Sequence, residues 1–287
     1  MFNFISNRKI WYILSLLVIL PGLFSIFIQG FNLGIDFTGG NLVEVRFEEG
    51  AVIEDVRNAV EDLGYGAATN VQSSGTDSFM LRTRELSEEE SATLLSTLKE
   101  TVGEVVLLRN DRVGPVIGKE ITTNAILSLF IASVLMLIYI TFRFEFKQGI
   151  AAIIAILHDV LIVLGVFSIL QIEIDSTFVA AILTIIGYSI NDTIVIFDRI
   201  RENLRLRKKG ETLEHLVNVS LWQTIVRSLN TGMSVMFVLL ALYFMGGVTL
   251  KYFVLAILIG IISGTYSSIC NASPLWYDFK RMEQKAS

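Results

Sequence analysis

The stretch Phe178–Phe197, FVAAILTIIGYSINDTIVIF, is long and apolar enough to cross a bilayer as one helix, yet it carries a carboxylate, Asp192. Taking such a charge out of water costs several kcal/mol unless it is neutralised, paired or wetted, so an intramembrane carboxylate is by default a functional residue. The chain leaves this stretch into the basic segment Asp198–Lys209. A membrane protein that moves something, most simply ions, is the first expectation.

Composition agrees. Of 287 residues, 53% are hydrophobic and 18% charged, and the mean hydropathy is +0.61, too apolar for an ordinary soluble domain. Six runs approach the length of a membrane span: Ile10–Ile28 with a tolerated Pro21, Ala125–Phe142, Ile150–Leu170, Phe178–Phe197, Leu229–Phe244 beginning near Ile225, and Tyr252–Cys270. Lys and Arg gather before the first run (Arg8, Lys9), between the second and third (Arg143, Lys147), after the fourth (Arg199 to Lys209) and after the sixth (Lys280, Arg281, Lys285). The positive-inside rule then places both termini in the cytoplasm and the long first loop outside. The predicted plan is residues 1–30 as N-terminus and first span, 31–120 as an exported domain, 121–275 as spans two to six with a basic cytoplasmic loop at 198–224, and 276–287 as a cytoplasmic tail. The lone Cys270 leaves the exported domain without a disulfide.

Within that loop Val43, Val45 and Phe47 alternate with Glu44 and Arg46 as a half-buried strand, and Ile53, Val56, Val60 and Leu63 recur at helical spacing. Strands are predicted at Ala68–Ser73 and Ser78–Thr83 around a turn at Ser74–Asp77. A capping box, Ser87 with Glu90, opens a helix to about Val102, and a strand follows at Val105–Arg109. The order β-α-β-β-α-β predicts a ferredoxin-like α+β domain, a fold that names no function.

Polar residues mark the spans. Gln223, Thr224, Arg227, Asn230, Thr231 and Ser234 form a stripe on the fifth span, and Tyr188, Ser189 and Asp192, with Asn191 beside them, form another on the antiparallel fourth. A contact between Asp192 and Arg227 is expected, the alternative being that Arg227 reaches the headgroups while Asp192 pairs with Arg199 on its own helix. His158 and Asp159 lie mid-span on the third helix; adjacent helical residues point about 100° apart, so they are expected not to share a partner. His158 reads equally as a proton relay or a strut, and Asp159 as structural. Gly260 and Gly264, flanked by Ser263, Ser267 and Ser268, form a close-packing face for a helix of this chain or of a partner.

Other chemistries find little support. GPVIGKE at Gly114–Glu120 has the wrong spacing for a phosphate-binding loop, His158 and His215 make no metal-ligand spacing, and no nucleophile with base and orienter is visible. Neither an enzyme nor a cofactor or metal is expected. A basic run beside a membrane reads as an orientation signal or lipid contact, so no nucleic-acid partner is expected.

GIDFTGG at Gly34–Gly40, RVGPVIGKE at Arg112–Glu120, HDV at His158–Val160, GYSINDTIVIFDRIREN at Gly187–Asn203 and RSLNT at Arg227–Thr231 closely resemble the SecF members of the SecD/SecF family of bacterial protein-export membrane proteins. The likeness spans nearly the whole chain. It implies the resistance-nodulation-division architecture, a place in the bacterial cytoplasmic membrane, a SecD partner, and assistance to a SecYEG-type translocon handling unfolded preprotein. It also implies that Asp192 and Arg227 serve passage of the coupling ion, H⁺ or Na⁺. Gly34, Gly39, Gly40, Gly114 and Gly118 would then be hinges or tight turns tethering the exported domain. A small-molecule or lipid transporter of related architecture, and a non-transporting scaffold, are the alternatives.

Overall fold

The computed structural model describes residues 2–48, 50–65, 69–75 and 77–286. In chain order the elements are α1 (Arg8–Gln29), α2 (Ile35–Thr38), β1 (Gly40–Phe47), α3 (Ile53–Asp62), β2 (Asn70–Gly75), β3 (Ser78–Thr83), α4 (Glu88–Thr101) and β4 (Val105–Val113). The helices α5 (Pro115–Arg143), α6 (Phe146–Ile169), α7 (Ser176–Arg205), α8 (Leu213–Met245) and α9 (Val248–Ser267) follow, and a π-helical segment, Ser268–Ala272, leads into α10 (Ser273–Ala286). They fall into two compact units, Leu33–Ile126 and the remainder.

In the smaller unit the sheet has the order β2-β3-β1-β4 and is antiparallel at every pairing. Inward residues of the strands and the apolar faces of α3 and α4, among them Val45, Phe47, Val56, Leu81, Leu94 and Leu98, close its core. The capping box forms as the sequence predicts: Ser87 accepts from the Glu90 amide and Glu90 accepts from the Ser87 amide. Two of the predicted turn and strand positions, Ala68 and Thr76, lie outside the described residues.

The expected hinges are mostly packing points. Gly39 and Gly40 have φ of 74° and 129°, where L side chains are strained. A Cβ on Gly40 would collide with the Thr83 carbonyl, and one on Gly39 would press on Pro115. Gly118 is not in a loop: α5 begins at Pro115, and Gly118 lies against the carbonyls of Asp36 and Phe37. Gly114 has no such constraint, and Gly34 has an ordinary φ of -71°.

Among the described residues six helices are long and apolar enough to cross a membrane, Arg8–Gln29, Pro115–Arg143, Phe146–Ile169, Ser176–Arg205, Leu213–Met245 and Leu250–Gln284. The chain is a multi-pass membrane protein. Its basic loop is shorter than predicted, since α7 runs to Arg205 and α8 starts at Leu213. The reason is that buried apolar residues continue toward the ends of both helices, Ile196, Phe197 and Ile200 on α7 and Leu213, Leu216 and Val217 on α8. Asn203 adds hydrogen bonds to Ser220 (2.7 Å) and Gln223 (2.9 Å). The predicted tail is likewise largely the helix α10, anchored by a fully buried Trp276.

Helix α1 seats on α6 at a pair of glycines the sequence reading did not single out. A Cβ on Gly22 would lie 2.7 Å from the Gly165 Cα, and one on Gly165 2.8 Å from the Gly22 Cα. One turn along, Ser25 and Ser168 hydroxyls meet at 2.8 Å, and Gln29 donates to the Ser168 carbonyl at 2.9 Å. Between apolar helices, close backbone approach with a few hydroxyl bonds is how membrane interfaces hold.

Candidate functional site

Asp192 lies on α7 against α8, 8% exposed. Its Oδ1 accepts from the Ser228 hydroxyl at 2.6 Å, while its buried Oδ2 has no hydrogen-bond partner among the described residues. The expected ion pair with Arg227 is not formed, nor is the alternative with Arg199, which pairs with Glu202 at 2.9 Å. Residues along a helix turn by about 100°, so if Ser228 faces α7 its neighbour Arg227 cannot; Arg227 is exposed. It lines a crevice of about 300 Å³ with Asp198, Arg199, Glu202, Gln223 and Thr224, beside Val195, one turn beyond Asp192 toward the basic end of α7.

The polar stripe predicted on α8 is therefore split: Thr224 is buried, Gln223 accepts from Asn203 near the end of α7, and the rest is turned outward. Gln223, Arg227, Asn230, Thr231 and Ser234 are exposed, as is Asn191 on α7. The Thr231 and Ser234 hydroxyls donate back to the carbonyls of Arg227 (2.9 Å) and Asn230 (2.7 Å). The face that packs is Leu221, Thr224, Ser228 and Gly232, spaced by three or four and all buried. Tyr188 reaches this interface: its hydroxyl would be 3.3 Å from a Cβ on Gly232. Ser228 escaped the sequence reading because a serine beside an arginine draws less attention than the charge.

A second polar centre, more enclosed, surrounds Asp159. Its carboxylate is fully buried. Oδ1 accepts from Ser263 (2.6 Å) and meets His158 Nδ1 (2.9 Å), and Oδ2 accepts from Ser189 and Ser267 (both 2.7 Å). The His158 side chain folds back over its neighbour while its Nε2 meets Ser15 on α1 at 3.0 Å, so among the described residues the two bond to each other and to no third group in common. Ser189, read with Asp192 from its spacing, belongs to this centre instead. Gly260 and Gly264 make it possible: α9 lies against α7 within the chain, a Cβ on Gly260 would fall inside the Ile185 side chain, and one on Gly264 would press on Ser189 at 3.2 Å. The serines flanking those glycines do more than pack, since Ser263 and Ser267 both donate to Asp159.

The profile of the C-terminal region of the protein export membrane proteins SecD/SecF matches residues 93–282. The chain belongs to the SecD/SecF family. The SecD/SecF GG motif matches residues 24–51, which include the strained pair Gly39 and Gly40. Among SecD/SecF relatives, the protein translocase subunit SecF of Thermobaculum terrenum is 46% identical over 100% of this chain and 99% of its own length. The protein translocase subunit SecDF of Bacillus subtilis is 39% identical over 99% of this chain, which spans 39% of that longer protein. The crystal structure of SecDF, a translocon-associated membrane protein from Thermus thermophilus, superposes with a TM-score of 0.91 at 37% identity, over 98% of this chain and 39% of that one. The site is one of charge and hydrogen bonds.

Proposed function

We propose that the chain is the SecF component of a Sec protein-export machinery in a bacterial cytoplasmic membrane, with both termini in the cytoplasm. With a SecD-type partner and a SecYEG-type translocon, it uses a proton or sodium gradient to promote preprotein translocation on the outer side. The observation that carries this reading is Asp192, a buried carboxylate with one oxygen hydrogen-bonded to Ser228 and the other bare, set one turn from a polar crevice. Such a group takes up and releases a cation at low cost in structure. Changing its charge alters its bond to Ser228 and so the fit of α7 on α8, giving two arrangements for two states. Arg227 bears on the site through the crevice rather than by contact. One charge falling through the membrane potential supplies about 2.3 kcal/mol per 100 mV, roughly a fiftyfold bias between two conformations. The relatives that unite SecD and SecF in one chain support the SecD-type partner.

The test is gradient-dependent completion of preprotein export in membrane vesicles containing the SecD-type partner, comparing wild type with Asp192→Asn at matched levels. Loss of the gradient-dependent part with normal assembly is the expected result. Full gradient dependence in the variant would make the carboxylate structural and the chain a scaffold.

A further inference from the structure

We propose that residues 2–7, the segment ahead of α1, form a latch that sets the azimuth of α8, with Asn218 as the positioning residue that keeps Ser228, and not Arg227, turned toward Asp192. The segment is bound to one row of α8, Glu214, Asn218 and Trp222, each four positions from the next. Asn218 is 8% exposed and its amide is fully engaged. Its Oδ1 accepts from the amides of Phe4 (2.8 Å) and Ile5 (3.3 Å), and its Nδ2 donates to Asn3 Oδ1 (2.6 Å) and to the Glu214 carbonyl (2.9 Å). Two acceptor and two donor bonds are all that an amide side chain can make, and together they fix which way it points. On either side of it, Asn3 Nδ2 donates to Glu214 Oε1 at 2.8 Å and Trp222 Nε1 to the Phe2 carbonyl at 2.9 Å.

The segment is also anchored away from α8. Trp11 Nε1 on α1 donates to the Phe4 carbonyl at 3.1 Å, and Phe2, Phe4, Trp11 and Trp222 form one ring cluster with centroids 5.1 to 6.3 Å apart. Ile5 is fully buried. Arg8 donates to the Ile5 carbonyl at 2.9 Å and pairs with Asp278 on α10 at 2.8 Å. The latch therefore ties α8 to α1 and α10 and does not simply ride on it.

Helix geometry turns this tie into a constraint on the ion site. Ser228 stands ten positions beyond Asn218, about 15 Å along the axis and roughly 80° around it. The row held by the latch and the row of Thr224, Ser228 and Gly232 buried against α7 are thus neighbouring sides of one helix, with Arg227 on neither. Bringing Arg227 to where Ser228 stands takes a turn of about 100°. That turn carries Glu214, Asn218 and Trp222 off the segment and strips the buried amides of Phe4 and Ile5 of their acceptor. Each buried group left unpaired weights the equilibrium against such an arrangement by roughly five- to a hundredfold.

The placement of α8 is independent of the function proposed above, and only its consequence for export rests on that reading, so the test has two arms. In vesicles holding the full chain with its SecD-type partner, a water-soluble thiol reagent is applied to Ser228→Cys or Arg227→Cys, each with and without Asn218→Ala. The native Cys270, which is buried, is the folding control and should stay unreactive. Ser228→Cys should label at least fivefold faster when Asn218→Ala is added, and Arg227→Cys should label more slowly. Unchanged rates at both positions would overturn the latch. If Asn218→Ala exposes Cys270, Asn3→Ala takes its place under the same criteria, because it removes the bonds to Asn218 Nδ2 and Glu214 and leaves Asn218 Oδ1 on Phe4 and Ile5. In the second arm, Asn218→Ala in the chain without added cysteines should lower gradient-dependent export severalfold. Changed labelling with full gradient-dependent export would overturn the role in coupling and uphold the positioning of α8.

Discussion

Asp192 is held by Ser228, not by Arg227: the hydroxyl on α8 meets Oδ1 at 2.6 Å, while the guanidinium next to it in sequence is turned out into a crevice. A hydrogen bond to a charged group contributes about 1.5–3 kcal/mol, roughly a ten- to hundredfold effect on a two-state equilibrium. Ser228→Ala should therefore lower gradient-dependent export at least severalfold in the vesicle assay while leaving the amount of assembled protein unchanged. Wild-type export from Ser228→Ala would show that the bond plays no part in coupling.

The Gly22–Gly165 contact leaves no room for a side chain on either helix. Gly22→Val or Gly165→Val should cost about 1–3 kcal/mol or more through overpacking. Thermal unfolding in detergent, followed by helical circular dichroism, should show a lower midpoint for each, and a midpoint unchanged in both would mean that α1 does not seat on α6 as described.

Gly260 and Ile185 occupy one another's space across α7 and α9. Gly260→Ala should destabilise the bundle, and Ile185→Ala should partly relieve it by opening the volume the new methyl needs. The double-mutant cycle should give a favourable coupling of about 0.5–3 kcal/mol. Strict additivity would mean that Gly260 on α9 does not pack against Ile185 on α7.

The cap of α4 should respond to acid. The Arg84 guanidinium, followed by the Ser87 amide, holds the exposed Glu90 carboxyl below its usual value. A group depressed in the folded state contributes its stability above the unfolded pKa and loses it as pH falls through the folded one. Amide protection in the first turn of α4, taken relative to the intrinsic exchange rate at each pH, should fall as pH drops below the ordinary glutamate range, and Glu90→Gln should remove that pH dependence. Because the pair is exposed, salt should weaken the effect.

Much of this protein was legible from residue order. Span number, the β-α-β-β-α-β order of the smaller unit and the Ser87 cap depend on local periodicity and composition, which a linear chain displays directly. The burial of a charge at Asp192 was legible too, because a carboxylate inside an apolar run is conspicuous wherever it points. What the chain could not display was azimuth. A rotation of one residue, about 100°, decides whether Arg227 or Ser228 meets α7, and helical spacing fits both faces of α8. The same limit hid the Asp159 centre, whose donors Ser189, Ser263 and Ser267 stand 30 to 108 positions away along the chain, and the Gly22–Gly165 seat, where each glycine means something only against the other. Sequence determined which residues enter the membrane and which are too polar to be there idly; tertiary packing decided their partners, because the energy of a buried polar group depends on what lies within 3 Å of it.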